Sequence, residues 1–329
     1  MRVKVAGTAG FCWGVQRALR MIDALPADGK RTVTLGPLVH NTPLLERFQE
    51  RKIAVIEKTE QVLTEDRVIL RPHGTTQDDM ASLGGRGSDV VDATCPHIQD
   101  TKATIGRLAK NGRNIIIAGN REHDEVRFLL DGLSTKSWVV GSSEEVGEVA
   151  AEPPLVLVSQ STFGPALFED IAEAVAERWK GTEVLATRCC ATEDRQEETE
   201  RLAAESDVLV IVGAYHSGNA RRLAEMCRDS GKQTFHVEVP DDLAVPSLIE
   251  QARLSRRQAL MEKFADDPDA LREATSDPAR LDAEVLIGVT AGASTPPWVL
   301  QAVVDHLVAS TGGTVEKGLP KDLAEEAGG

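Results

Sequence analysis

The stretch RVILRPHGTT at residues 67–76 is a short β-branched apolar run followed at once by proline, histidine and glycine. Such a run predicts a buried strand that ends where the proline and glycine begin. Six further runs of this kind occur along the chain, at 3–7, 32–36, 114–119, 154–160, 207–214 and 284–290. Amphipathic stretches lie between them, and this alternation predicts an α/β protein with mainly parallel sheets and helical crossovers.

Three of the intervening stretches have the three- and four-residue apolar spacing of a helix, at 41–52, 165–180 and 219–231. Ligands of open parallel sheets gather beyond the carboxyl ends of the strands. In this chain the residues with distinctive chemistry follow the predicted strands, namely Cys12, His73, Cys95, His123, Gln160, Ser161, Cys189 and Ser294. The pattern therefore predicts a site at the carboxyl ends of the strands.

Three of the five cysteines occupy equivalent positions. Cys12, Cys95 and Cys189 each follow a predicted strand, and they are 83 and 94 residues apart. This spacing fits α/β modules of about 100 residues. It predicts three modules: 13–95, 96–188, and 189–312 together with the N-terminal strand 1–12. The charged, alanine-rich segment 241–283 predicts a helical insertion in the third module, and 313–329 a C-terminal tail.

The composition limits the class of protein. The chain has 329 residues, of which 41% are hydrophobic, enough for several packed domains. Its formal net charge of −15 argues against binding to nucleic acid or to an anionic membrane. The N-terminus begins directly with a strand, and no run is long enough to span a bilayer, so we expect a cytoplasmic protein. Five cysteines are too few for a secreted disulfide framework, which favours reduced thiols or metal ligands.

The cysteines allow two interpretations when they are considered without their neighbours. Thiolates from three modules suit a zinc ion or an iron–sulfur cluster. Alternatively they are ordinary buried cysteines, since the chain has no CxxC pair of the kind that marks a ferredoxin or a zinc ribbon. The adjacent residues Cys189 and Cys190 do not suggest a disulfide, because neighbouring cysteines rarely reach the required geometry without strain.

The local sequences favour the first interpretation, because nine motifs resemble those of the 4-hydroxy-3-methylbut-2-enyl diphosphate reductase family, called IspH or LytB. They occur in the family's order: GFCWGVQRAL (10–19), LVHN (38–41), PHGTT (72–76), DATCP (92–96), HDEV (123–126), SQST (159–162), CCATEDRQ (189–196), SGNARRL (217–223) and GVTAGAS (288–294). Several are weak alone, but nine in order identify the chain as a member.

The resemblance implies three α/β modules around a central 4Fe-4S cluster, with one cysteine ligand from each module. By motif the ligands are Cys12, Cys95 and Cys189, which leaves one iron of the cluster open. Cys190 stands where the family usually has another residue, and we interpret it as a small packing residue rather than a second redox thiol. Cys227 lies in a helical pattern and is predicted to be in the core.

The resemblance also implies the chemistry, a reductive dehydroxylation of a small diphosphate in the methylerythritol phosphate pathway, giving isopentenyl and dimethylallyl diphosphate. Ferredoxin or flavodoxin is the implied electron donor. Glu125 is the implied proton donor, with His123 as a proton relay or diphosphate ligand and the hydroxyls of Ser161 and Thr162 near the leaving oxygen. The implied diphosphate ligands are His40, His73, His123, Ser217, Gly218, Asn219 and Ser294.

Some positions depart from the family's usual pattern, and they leave alternatives open. The usual TQTT is SQST, TNRQ is EDRQ, and the phosphate segment SSN is Ser217-Gly218-Asn219, with one hydroxyl lost. One alternative is a divergent paralogue that dehydroxylates another small allylic substrate. A second is a non-catalytic iron–sulfur sensor, against which Glu125 argues because a sensor needs no proton donor.

Overall fold

The computed structural model describes residues 1–39 and 41–317. Within these ranges all strand pairings are parallel. The strands are β1 (Arg2–Val5), β2 (Thr32–Leu35), β3 (Ile53–Ile56), β4 (Arg67–Leu70), β5 (Asp89–Asp92), β6 (Asn114–Ala118), β7 (Ser137–Val140), β8 (Leu155–Ser159), β9 (Glu183–Val184), β10 (Val208–Val212), β11 (Thr234–Val237), β12 (Leu286–Ala291) and β13 (Thr314–Lys317).

Helices connect the strands. They are α1 (Trp13–Asp23), α2 (Thr42–Glu50), α3 (Gln77–Gly85), α4 (Pro96–Lys110), α5 (Asp124–Leu130), α6 (Pro165–Arg178), α7 (Cys190–Glu205), α8 (Gly218–Asp229), α9 (Val245–Lys263), α10 (Pro268–Ser276), α11 (Pro278–Glu284) and α12 (Pro297–Thr311), with short 3₁₀ helices at Thr59–Gln61, Glu144–Glu148 and Pro240–Asp242. Seven of these α-helices carry proline in the first turn, where a missing N–H breaks no helical hydrogen bond.

The strands form three sheets in two compact units. The terminal unit comprises Met1–Cys12, His40–Leu44 and Glu193–Gly329, and it contains a five-stranded sheet in the order β11-β10-β12-β1-β13. The inserted unit comprises Trp13–Val39 and Leu45–Thr192. It contains two four-stranded sheets, in the orders β3-β2-β4-β5 and β7-β6-β8-β9. The predicted α/β class with parallel sheets is confirmed, while the predicted module boundaries stay a prediction.

Three of the central strands are buried along their whole length. β8, β10 and β12 have no exposed residue, and their sequences LVLVS, VLVIV and LIGVTA are nearly continuous apolar runs. This composition is expected of parallel strands that have helices on both faces. Residues 314–317, which the sequence assigns to the tail, form β13 and pair with β1. No helix within the described residues is long and apolar enough to cross a membrane.

The predicted helical insertion 241–283 contains α9, α10 and most of α11. Arg256 of α9 joins it to the sheet, because its Nε and Nη2 donate to one carboxylate oxygen of Asp207 at 3.0 and 2.8 Å. The same oxygen accepts the N–H of Leu286, at the start of β12, at 2.7 Å. Asp207 is buried. The insertion is therefore anchored by an ion pair between half-buried Arg256 and buried Asp207 at the amino ends of β10 and β12.

Candidate active site

Three thiols lie at the starts of helices. Cys12 and Cys189 directly precede α1 and α7, and Cys95 is the N-cap residue of α4. All three are half-buried, and none forms a disulfide. The amino end of a helix favours negative charge, which suits sulfur that binds metal as thiolate. Among the residues described, His, Cys, Asp and Glu side chains form no group of three or more placed for a metal ion, so the fit to a cluster rests on donor chemistry.

Each of these cysteines is fixed by its backbone to a loop that carries other predicted site residues. The N–H groups donate to carbonyl oxygens in three pairs: Cys12 to Ala293 (3.0 Å), Cys95 to Pro72 (2.9 Å) and Cys189 to Ser161 (2.9 Å). These bonds hold each thiol beside a strand end. They also tie each predicted ligand to the segment that contains Ser294, His73 or Ser161.

Two charged side chains of α7 hold the loop before Cys12, and the sequence analysis did not identify them. The Glu198 carboxylate accepts the N–H of Thr8 at 2.7 Å. The Arg195 guanidinium donates to the carbonyl of Thr8 at 3.0 Å and to that of Gly10 at 2.7 Å. Arg195 lies in the motif at 189–196, but it was given no role there, and two opposite charges three residues apart are usually a solvated helix surface. Here Arg195 is buried.

Glu125 and Ser161 form a buried hydrogen-bonded pair in the inserted unit. Glu125 is 1% exposed. Ser161 donates its N–H to Oε1 at 2.6 Å and its hydroxyl to Oε2 at 2.7 Å. Burial raises the pKa of the Glu125 carboxyl and outweighs the two Ser161 hydrogen bonds, which favour the ionised form. Thr162 follows Ser161 and accepts the Nε2–H of Gln160 at 3.4 Å.

His123 contacts the backbone of Glu125, and His73 contacts His123. His123 caps α5, and its Nδ1 accepts the N–H of Glu125 at 3.2 Å, which assigns the ring proton to Nε2. The ring of His73 packs edge-on against it with centroids 5.4 Å apart. Gly74 has a φ of +94°, and a Cβ there would lie 2.3 Å from the Phe128 ring. Only glycine permits this turn, which positions His73.

Predicted diphosphate ligands lie around the start of α8 in the terminal unit. The Ser217 hydroxyl accepts the N–H of Ala220 at 3.4 Å and lies 3.5 Å from the Ser294 hydroxyl. Asn219 is 7% exposed, and its Oδ1 accepts the N–H of Ala293 at 3.1 Å. Its Nδ2 is buried and has no acceptor among the described residues. A buried donor of this kind indicates a place for a ligand oxygen.

The structure thus brings the predicted residues together in two groups. The inserted unit contains His73, His123, Glu125, Ser161 and Thr162, and the terminal unit contains Ser217, Gly218, Asn219 and Ser294. Gly218 begins α8, and an added Cβ would meet nothing within 4 Å. His40, the remaining predicted ligand, lies outside the described residues.

The other two cysteines differ in their surroundings. Cys190 is exposed at the first position of α7, so its interpretation as a packing residue is wrong, because a packing residue must be buried. Cys227 is buried in the core of the terminal unit, as predicted. Desolvation raises the pKa of its thiol to about 11, which keeps it protonated and inert.

Comparison with known proteins identifies the family of this chain. The family model described as LytB protein matches residues 3–308. This chain belongs to the LytB family. A LytB relative from Oleidesulfovibrio alaskensis, named 4-hydroxy-3-methylbut-2-enyl diphosphate reductase, is 36% identical over 252 residues, which cover 75% of this chain and 90% of the relative. A relative of the same name from an Anaeromyxobacter species is 32% identical over 93% of this chain and 97% of its own length.

A solved LytB-family structure has the same fold. It is that of (E)-4-hydroxy-3-methyl-but-2-enyl diphosphate reductase, the terminal enzyme of the non-mevalonate pathway. It superposes with a TM-score of 0.65 and 28% identity, covering 94% of this chain and 99% of the other. The family match includes every motif on which the resemblance rests, from residue 10 to residue 294.

Proposed function

We propose that this chain reduces 4-hydroxy-3-methylbut-2-enyl diphosphate to isopentenyl and dimethylallyl diphosphate. The reaction breaks the allylic C–O bond, forms a C–H bond and releases water, and it consumes two electrons and two protons. Membership of the LytB family over residues 3–308 is the observation that carries this proposal, because the relatives are named for this reductase activity.

We propose Cys12, Cys95 and Cys189 as the ligands of a 4Fe-4S cluster. Three half-buried thiols at helix starts, none of them in a disulfide, match the donor chemistry of such a cluster. When bound, the cluster would supply electrons and a Lewis-acidic iron. The bond between Cys189 and Ser161 links one proposed ligand to the residue that holds Glu125.

Glu125 is the proposed proton donor. Burial raises the pKa of its carboxyl and so favours the protonated form, and Ser161 fixes both of its oxygens. His123, whose Nδ1 accepts the N–H of Glu125, is placed to assist the proton transfer or to donate Nε2–H to the substrate. Ser161 and Thr162 are the proposed hydroxyl contacts of the leaving oxygen.

The diphosphate is proposed to bind at the start of α8. The buried, unpaired Nδ2 of Asn219 supports an oxygen-rich ligand, and the hydroxyls of Ser217 and Ser294 lie within 3.5 Å of each other. A helix start provides N–H donors that favour an anion. His40, His73, His123 and Gly218 complete the proposed set. Ferredoxin or flavodoxin is the proposed electron source, and the cytoplasm the proposed location, because thiols stay reduced there.

The substrate prediction tests the function. With cluster content measured and a chemical reductant present, we expect reduction of the diphosphate and about hundredfold lower kcat/KM for the free alcohol, which lacks the groups that these donors bind. Equal activity on the free alcohol would instead indicate the divergent dehydroxylase. No activity on the diphosphate by protein with a full cluster would contradict the reductase.

A further prediction concerns Gly218. The open space beside it admits a side chain, so Gly218→Ser should restore the hydroxyl of the family's SSN segment without a clash. One added hydrogen bond of about 1 kcal/mol would lower KM for the diphosphate about fivefold. Gly106→Ser in α4, also at an open position, is the matched control and should leave KM unchanged. A higher KM in the Gly218 variant alone would exclude a phosphate contact at this position.

A further inference from the structure

One face of α1 combines an exposed aromatic ring with two guanidinium groups. Trp13 is 57% exposed, Arg20 is exposed and Arg17 is half-buried. At about 100° per residue, these three positions lie within about 60° of one another around the helix, and they span about 10 Å along it. We name Trp13, Arg17 and Arg20 the α1 face.

The α1 face has a local positive charge in a strongly negative protein. Neither Arg17 nor Arg20 forms an ion pair with any carboxylate among the described residues. Asp23, at the end of α1, is neutralised by Arg51 at 2.5 Å. The whole chain carries −15, so an anionic partner is repelled by most of the surface and attracted here.

The α1 face adjoins two of the proposed cluster ligands. Trp13 is the next residue after Cys12. Arg17 donates to the carbonyl of Thr94, the residue before Cys95, at 3.2 Å. A partner bound to this face would therefore lie beside the segments that carry both thiols.

We infer that the α1 face is the docking surface for a small, acidic protein that carries one electron at a time. This inference rests on the proposed reductase function, which requires two electrons for each C–O bond broken. Each encounter oxidises one carrier and transfers one electron, so two encounters balance one turnover. Carboxylates around the cofactor of such a carrier would pair with Arg17 and Arg20, and Trp13 would provide the apolar contact.

The composition of the face fits a brief encounter of this kind. Tryptophan and arginine are enriched among the residues that dominate binding energy at protein interfaces. Electron-transfer complexes bury little surface, so a few such residues suffice. In a protein of net negative charge, one positive face also sets the orientation in which an acidic partner binds.

The test compares a protein carrier with a small one. Holoenzyme variants Trp13→Ala and Arg20→Glu are assayed with reduced ferredoxin, with reduced flavodoxin and with methyl viologen, which needs no docking surface. Binding of each oxidised protein carrier is measured separately by calorimetry. We expect Kd and KM for the protein carrier that binds the unaltered enzyme to rise about tenfold, with turnover on methyl viologen unchanged within about twofold.

Two further variants control for charge and folding. Arg257→Glu on exposed α9 makes the same charge change elsewhere and should leave Kd unchanged, while Arg20→Gln should weaken binding without reversing the charge. Equal weakening by the Arg20 and Arg257 variants, unchanged Kd in the α1 variants, or no binding of either carrier to the unaltered enzyme would overturn the inference. Absence of diphosphate reduction with methyl viologen would count against the reductase function alone, since the binding measurement does not depend on turnover.

Discussion

Glu125→Gln should lower kcat by about 10² to 10⁴ while the cluster and substrate binding persist, because an amide keeps the shape of the carboxyl but cannot deliver its proton. Both hydrogen bonds to Ser161 can survive, since the amide oxygen accepts the Ser161 N–H and the amide nitrogen donates to the hydroxyl. The measurements are single-turnover and steady-state rates with methyl viologen, together with iron content and the Kd of the diphosphate.

The control for this variant is Glu122→Gln. Glu122 lies in the loop just before α5, three residues from Glu125, but its side chain is exposed, so its amide variant should keep turnover within about twofold. If Glu125→Gln retains near-normal turnover, Glu125 is not the proton donor.

The stability of the same variant should change with pH in a defined direction. Because the folded-state pKa of Glu125 is raised above 4.5, the wild-type protein loses this group's contribution to stability as pH rises through the raised value. The glutamine variant has no such loss. The difference in Tm, variant minus wild type, should therefore become more positive as pH rises above 4.5. A pH-independent difference would contradict the raised pKa.

Serine at Cys12, Cys95 or Cys189 should remove most of the iron and sulfide from anaerobically purified protein. A hydroxyl is a poor substitute for a soft thiolate, and each loss leaves only two of the proposed ligands. Iron and sulfide per chain and the visible absorption of each variant measure the result.

Cys190→Ser and Cys227→Ser provide two controls with different surroundings. The first alters an exposed thiol adjacent to Cys189, and the second a buried thiol of the core. Both should keep the cluster. If the Cys190 variant loses its iron and the Cys189 variant retains it, then Cys190 rather than Cys189 is the cluster ligand.

The sequence predicted the strands inside each sheet and missed the strands at its edges. All seven predicted strands are interior strands, namely β1, β2, β4, β6, β8, β10 and β12. The six that were missed, β3, β5, β7, β9, β11 and β13, are the edges of the three sheets. Interior strands such as β8 (LVLVS) and β10 (VLVIV) are buried on both faces and have a continuous apolar run, whereas DVVD in β5 and TVEK in β13 include charged residues that an edge tolerates.

Site residues could be predicted from the sequence where a motif contains them. Contacts and roles that depend on burial could not be predicted in this way. Glu125 and Asn219 were expected from their motifs, but the Ser161 contacts and the unpaired amide nitrogen required coordinates. Arg195 and Glu198 resemble surface charges in the sequence, and only the loop that they contact shows otherwise. Cys190 was misjudged because apolar character alone does not tell which side of a helix faces the core.

The contact between Arg256 and Asp207 sets a condition for any shortened version of this chain. Removing α9 to α11 would leave a buried carboxylate with the N–H of Leu286 as its remaining partner, and an uncompensated buried charge costs about 3–5 kcal/mol. Asparagine at 207 would retain an oxygen for that N–H and carry no charge. A minimised enzyme therefore requires Asp207→Asn and also a replacement for the core contacts of Val245, Leu248 and Ala252, which α9 packs against the five-stranded sheet.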